Sequence, residues 1–176
     1  LFPNYLKFAM INKVLIVEDH ETANISVQKT LEETKIIEID YAYYCDDALQ
    51  KIKTAKRNHS PYDLLITDLY FEEDACVQKI TGGAALIEAA RQEPPELKVL
   101  VFSAEGKAAV IEALYARQQI DGYVRKARND AKDLKLALKT LDQDRRYSPR
   151  RLLELIKQKN SYEFSEYDIT VISLLA

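Results

Sequence analysis

Short apolar runs recur along this chain, and four of them end in side chains that can bind a cation or a phosphate group. In chain order these are Val14–Val17 with Asp19, Leu64–Thr67 with Asp68, Val99–Phe102 with Ser103, and Gly122–Arg125 with Lys126. Continuous runs rich in Val, Ile and Leu are typical of strands covered on both faces of a parallel sheet. Because parallel strands present their carboxyl ends at one edge, the four side chains are expected to meet there.

Helical patterns alternate with these runs and with a further run, Ile36–Ala42. Apolar residues spaced three and four apart predict one face on each of three helices. These faces are Ala23, Val27 and Leu31; Val110, Ala113, Leu114 and Arg117; and Leu134, Ala137, Leu138 and Leu141. The alternation predicts five βα units, and therefore an α/β fold with a five-stranded, doubly wound parallel sheet.

Composition excludes several classes of protein. The 176 residues are 47% hydrophobic and 30% charged, which is ordinary for a globular domain. A net charge of -3 leaves no basic footprint for nucleic acid over the chain as a whole. The two cysteines, Cys45 and Cys76, favour a reducing cytoplasm over a disulfide framework. No apolar run approaches the length that spans a bilayer, so no membrane partner is expected.

The pattern divides the chain into four parts. Residues 1–11 are predicted to be an N-terminal extension, and residues 12–142 the α/β domain. Residues 143–163 are predicted to be a linker whose helix begins at Ser148-Pro149, since Ser caps helices and Pro suits their first position. An apolar helix starts within 164–176 and is cut off at Ala176, so a fragment of a longer protein is expected.

The acidic strand ends favour magnesium and phosphoryl chemistry. Mg²⁺ prefers oxygen ligands in octahedral geometry and keeps several waters. Asp19 and Asp68 are predicted to be direct ligands, with Glu18 acting through water and the backbone carbonyl of Tyr70 as a third ligand. A carboxylate in such a site can attack phosphorus to form an aspartyl phosphate. An acid after a single strand is often only a helix cap. The prediction therefore depends on the occurrence of suitable side chains at all four strand ends.

The other two strand ends complete this chemistry. Lys126 can bring a positive charge to a phosphate oxygen, and the hydroxyl of Ser103 can turn toward a new phosphoryl oxygen. Without a cation, the crowded carboxylates should repel each other, so Asp68→Ala should be at least as stable as the wild type.

Four stretches resemble the receiver domain of two-component response regulators, which has a flavodoxin-like fold. They are KVLIVEDH (13–20), YDLLITDL (62–69), VLVFSAE (99–105) and DGYVRKA (121–127). The resemblance covers roughly residues 12–141. It implies that Asp68 is the phosphoacceptor, Glu18 and Asp19 the acidic pair, and Ser103 and Lys126 the switch residues. Tyr123 matches the aromatic position whose ring moves inward when the switch hydroxyl is recruited.

The subfamily most similar to this chain is the NarL/LuxR type. The segment FSEYDITVISLLA (164–176) resembles the opening of a LuxR-type helix-turn-helix domain, whose recognition helix would follow Ala176. The DNA-binding residues are therefore unknown. The resemblance implies a histidine kinase or phosphotransfer protein as phosphoryl donor, a homodimer on activation, and DNA as target of the missing domain. Such a protein regulates transcription and catalyses its own phosphorylation without being a turnover enzyme.

Two alternatives stay open. A phosphatase of the haloacid dehalogenase type uses similar residues, but it needs a second Asp two positions after the nucleophile, where this chain has Tyr70. A phosphate-independent interaction module is the other alternative. It is suggested by the long acidic segment 70–81, which replaces the shorter loop usual after the phosphoacceptor. Gly82-Gly83 therefore lie further from Asp68 in the sequence than the family's glycine does.

Overall fold

The computed structural model describes residues 11–34, 36–93, 96–149 and 154. Strands and helices alternate along these residues. The strands are β1 (Lys13–Val17), β2 (Glu38–Ala42), β3 (Leu64–Thr67), β4 (Lys98–Ser103) and β5 (Gly122–Arg125). The helices are α1 (Glu21–Glu32), α2 (Cys45–Arg57), α3 (Gly83–Arg91), α4 (Ala108–Arg117) and α5 (Asp130–Asp142). All strand pairs are parallel, in the order β2-β1-β3-β4-β5, so the predicted five-stranded doubly wound sheet is confirmed.

The register of the sheet aligns the carboxyl ends of its central strands. Thr67, the last residue of β3, pairs with Val17 on one side and Val101 on the other. Ser103 ends β4 opposite Arg125 of β5. The residues that follow these positions therefore emerge at one edge of the sheet, as expected for parallel strands.

The sheet separates two apolar layers. Along β1, Leu15 and Val17 pack on one face, whereas Val14 and Ile16 pack on the other. Helices α2, α3 and α4 cover the first face, and α1 and α5 cover the second. Burial on both faces explains why β1, β3 and β4 read as continuous apolar runs. The edge strand β2 is only partly buried, and polar residues alternate with apolar ones along it.

Two predicted details differ from the structure. The second strand begins at Glu38 instead of Ile36, because the parallel ladder starts at the pair Lys13 and Glu38. The amide of Ile37 shares the carbonyl of Asn12 with the amide of Glu38 and adds no separate rung to the ladder. In α4, the buried residues are Ile111 and Leu114, whereas Arg117 is exposed. The sequence of α4 is apolar on most of its circumference, so its spacing alone does not single out the buried face.

The predictions for both ends of the chain lie largely outside the described residues. They include residues 1–10, nearly all of the predicted linker helix, and residues 164–176. After α5, the amide of Tyr147 donates to the carbonyl of Asp121, and Tyr147 forms a parallel bridge with Gly122 at the edge of β5. In the described ranges, none of the helices has the length and apolarity that crossing a membrane requires.

Candidate functional site

Asp68 occupies the position just past the central strand and is buried, with 6% of its surface exposed. Its amide donates to the carbonyl of Val17 at 3.1 Å, which ties it to β1. Its Oδ1 accepts a hydrogen bond from the amide of Leu69 at 2.5 Å. The backbone thus orients one carboxylate oxygen and leaves Oδ2 directed toward other side chains.

Lys126 forms an ion pair with Oδ2 of Asp68. Its amide donates to the carbonyl of Ser103 at 2.8 Å, so the residue is placed directly by β4. Its Nζ lies 2.5 Å from Asp68 Oδ2 and 2.7 Å from Glu18 Oε2. Burial opposes the charge on Lys126, but the hydrogen bonds to Asp68 and Glu18 outweigh it and raise the pKa of the ammonium. One cation therefore serves two buried carboxylates.

Glu18 is the more deeply buried of these acids, with 2% of its surface exposed. Burial raises its pKa above the ordinary value, Asp68 raises it further, and the Lys126 ammonium acts in the opposite direction. The net effect is that the site disfavours the Glu18 anion despite the ion pair. A second positive charge nearby would relieve this excess of negative charge.

Asp19 lies at the outer side of the site and is tied to the loop that follows β3. Its Oδ2 accepts a hydrogen bond from the amide of Glu72 at 2.6 Å, and its Oδ1 lies 3.0 Å from Nδ1 of His20. The hydrogen bond to Asp19 raises the pKa of His20, whose Nε2 also lies 3.3 Å from Oε1 of Glu72. The sequence predicts no catalytic role for His20, although its place directly after Glu18 and Asp19 matches the subfamily pattern.

The ligand atoms of Glu18, Asp19 and His20 all lie within 4.8 Å of one another. Carboxylate oxygens are the donors that a hard divalent cation prefers. Lys126 joins this cluster to Asp68, since its ammonium contacts both Glu18 and Asp68. The carboxylates of Glu18 and Asp19 fit a magnesium-type ion, whereas the imidazole of His20 is not a donor that this ion prefers. Asp68 and the backbone carbonyl of Tyr70 as ligands stay predictions.

Gly83 allows α3 to begin directly against Asp68. A Cβ atom at this position would lie 1.8 Å from the carbonyl oxygen of Asp68, far inside van der Waals contact. The amide of Gly83 also donates to the carbonyl of Leu69 at 3.0 Å. The close approach of two backbone segments at the acidic site thus explains why the sequence has glycine at this position of the pair Gly82-Gly83.

Ser103 and Tyr123 lie on the other side of Asp68. Ser103 is fully buried, and its Oγ lies next to the hydroxyl of Tyr123 but makes no hydrogen bond of good geometry among the described residues. The ring of Tyr123 is also fully buried, and its hydroxyl donates to the carbonyl of Glu105 at 2.8 Å. The resemblance implies that this ring moves inward on activation, yet in this structure the ring already lies inside.

Glu105 connects three parts of the site, and no sequence pattern pointed to it. Its Oε1 accepts hydrogen bonds from the amides of Gly106 and Lys107, each at 2.8 Å, just before α4 begins. Its Oε2 accepts one from the hydroxyl of Tyr70 at 2.7 Å. The side chains of Tyr70 and Glu105 therefore join the loops after β3 and β4, and the sequence alone does not predict this contact.

Comparison with known proteins identifies the class to which this fold and site belong. The family model described as the response regulator receiver domain matches residues 14–139. The chain therefore belongs to the response regulator receiver family, a component of two-component regulation. None of the curated proteins compared with the chain matches it.

Similar solved structures support the same fold. The isolated receiver domain of RcsB from Salmonella enterica serovar Typhimurium, with the phosphomimetic BeF3-, has 23% identity and a TM-score of 0.67, covering 82% of this chain and 97% of that one. A Salmonella typhimurium RcsB structure described for DNA interaction has 23% identity and a TM-score of 0.69, covering 84% and 68%. A LuxR-family response regulator from Aurantimonas sp. SI85-9A1 has 17% identity and a TM-score of 0.69, covering 85% and 97%.

Proposed function

We propose that Asp68 accepts a phosphoryl group from a histidine kinase or a phosphotransfer protein. The observation that carries this proposal is the contact between Lys126 Nζ and Asp68 Oδ2 at 2.5 Å, at the carboxyl end of the central strand. The backbone amide on Oδ1 and the ammonium on Oδ2 fix the plane of the carboxylate. Oriented in this way, the carboxylate can attack phosphorus and form an aspartyl phosphate, while the bond from phosphorus to the donor's histidine nitrogen breaks and the imidazole leaves.

Mg²⁺ is the proposed cofactor. Asp19, Asp68 and the backbone carbonyl of Tyr70 would hold it, with Glu18 acting through water. The ion would supply positive charge for the oxygens of the transferred group. Lys126 would contact one phosphoryl oxygen. The hydroxyl of Ser103, which makes no hydrogen bond of good geometry among the described residues, would turn toward another.

The output is proposed to be transcriptional. The segment 164–176, outside the described residues, would begin a helix-turn-helix domain, and the protein would act in the cytoplasm as a homodimer when activated. Support comes from a similar structure of two RcsB dimers bound to two parallel DNAs, which has 24% identity to this chain and a TM-score of 0.67. The proposed protein modifies itself and is not a turnover enzyme.

The test is phosphorylation by acetyl phosphate in the presence of Mg²⁺. The intact mass should rise by one phosphoryl group in the wild type and in Asp47→Asn, whose side chain is exposed on α2. It should not rise in Asp68→Asn. Undiminished uptake in Asp68→Asn would overturn the assignment of the phosphoacceptor.

The second candidate function is a phosphate-independent interaction module. Two observations favour it: Tyr123 is already buried, and Asp19 is already bonded to the amide of Glu72. Treatment with beryllofluoride and Mg²⁺ separates the two functions. A phosphorylation switch should change hydrogen exchange in residues 103–141 or the oligomeric state. A change confined to the loops around Asp68 would favour the module.

A further inference from the structure

A cavity of about 400 Å³ lies beside the acidic site, between the turn that precedes α2 and the segment 70–82. This volume falls within the range of small ligand sites. Three aromatic residues line it, Tyr43, Tyr44 and Phe71. Four carboxylates line it as well, Asp19, Glu72, Glu73 and Asp74, and the lining includes no Lys, Arg or His. The cavity thus combines aromatic walls with negative charge.

Specific hydrogen bonds hold the outer wall of the cavity, which is the segment 70–82, in place. The carboxylate of Asp46, in the first turn of α2, accepts from the amides of Lys79 and Ile80 at 2.7 and 3.0 Å. The hydroxyl of Tyr44 donates to Oδ2 of Asp74 at 2.7 Å. Because both ends of the wall are anchored to the α2 side of the domain, the cavity is formed before any ligand arrives.

The negative charge of the cavity is only partly compensated. Asp19 and Asp74 accept hydrogen bonds from within the domain, and Glu72 lies near His20. Glu73 is exposed and has no hydrogen bond or ion pair among the described residues. An incoming cation could therefore pair with Glu73 without displacing an existing partner.

The rim extends the apolar surface beyond the cavity. Val77 is 94% exposed, and Tyr43 is 39% exposed with its ring edge-on to that of Tyr41, at 5.6 Å between centroids. A free ion or amino acid would leave this rim uncovered, whereas a segment of polypeptide would cover it. A planar guanidinium stacks on aromatic rings and pairs with carboxylates at once, which an ammonium does less well.

We propose that this cavity binds an arginine side chain of a partner protein, with apolar neighbours of that arginine packing on Tyr43 and Val77. Asp19 contributes to both the cavity and the acidic cluster, so the bound segment would lie next to Asp68. The proposal does not require that Asp68 is phosphorylated. Binding to the cavity and uptake of phosphate can therefore fail separately.

The test is an NMR titration of the ¹⁵N-labelled chain with the peptide acetyl-Leu-Arg-Leu-amide. Amides of residues 43–45 and 71–81 should shift, and the neutral citrulline peptide should bind about tenfold more weakly, because it lacks the charge-assisted bonds. Glu73→Gln should weaken binding of the arginine peptide about threefold, which is the effect expected for loss of an exposed ion pair. Glu88→Gln, an exposed acid on α3 outside the cavity, should leave binding unchanged.

Further comparisons identify the source of the guanidinium and the link to phosphorylation. Val77→Ser should weaken binding of the peptide but should leave the affinity for free argininamide unchanged. Equal binding of argininamide and the peptide would overturn the assignment to a partner protein, and equal binding of the citrulline peptide would overturn the charge recognition. Absence of shifts at the cavity would overturn the site itself. Asp68→Asn should bind the peptide normally, which separates this result from the proposed phosphorylation.

Discussion

The ammonium of Lys126 lies 2.5 Å from Oδ2 of Asp68, and this contact links the ends of β5 and β3 across β4. The same ammonium lies 2.7 Å from Oε2 of Glu18, after β1. Lys126 therefore neutralises part of the charge that a divalent cation would also neutralise. Repulsion among the carboxylates of the metal-free site is weaker than their positions in the sequence suggest.

Removal of the lysine charge should reveal this compensation. Lys126→Met would leave Asp68 and Glu18 buried without their shared cation. The expected cost in EDTA is about 3 kcal/mol of unfolding free energy, at the low end for a broken buried pair because the Lys126 side chain is 20% exposed. Chemical denaturation at neutral pH measures the loss. Lys132→Met, at an exposed position on α5, is the control and should change stability by less than about 0.5 kcal/mol. Equal stabilities of the two variants would show that Lys126 does not stabilise the buried acids.

Mg²⁺ should stabilise the folded chain. At ten times its dissociation constant, an ion that binds only the folded state adds roughly 1.4 kcal/mol. The melting temperature should therefore rise on addition of Mg²⁺ to protein prepared in EDTA. Asp19→Asn should abolish the rise and Asp47→Asn should preserve it, since Asp47 is exposed on α2. A rise that survives intact in Asp19→Asn would place the ion elsewhere.

Gly83 should tolerate no side chain. The added Cβ of Gly83→Ala would lie 1.8 Å from the carbonyl oxygen of Asp68, so α3 must move away from the end of β3. We expect a loss of about 2 kcal/mol or more in unfolding free energy, together with slower phosphorylation by acetyl phosphate. Gly106→Ala is the matched control, because its Cβ would meet only the movable guanidinium of Arg125 at 2.8 Å. Wild-type stability of Gly83→Ala would contradict the close approach.

The two thiols should react very differently. Cys45 is buried, and burial raises its pKa to about 12, with Asp46 and Asp19 adding to the effect. It should stay a protonated thiol between pH 7 and pH 9, because thiolate forms only as the pH approaches that pKa. Cys76 is exposed. Maleimide should therefore add one label to the native protein, two in denaturant, and none to native Cys76→Ser. Rapid double labelling of the native chain would contradict the burial of Cys45.

Several features of the site were predictable because they depend on strand ends. Asp19, Asp68, Ser103 and Lys126 each follow an apolar run, and parallel strands bring their carboxyl ends to one edge whatever the side-chain details. Contacts made by loops were not predictable. The hydrogen bonds from Tyr70 and Tyr123 to Glu105, and from the amide of Glu72 to Asp19, span positions with no fixed spacing.

The sequence by itself determined the α/β class, the alternation of five strands with helices and the residues at the strands' carboxyl ends. Burial on both faces of the central strands β1, β3 and β4 leaves an apolar signature that is local in the chain. Only the tertiary structure decided that Lys126 serves two carboxylates, that Tyr123 already lies inside, and which face of α4 is buried. Those outcomes depend on how side chains from distant segments fill one shared space, and packing of that kind leaves no periodic trace in the sequence.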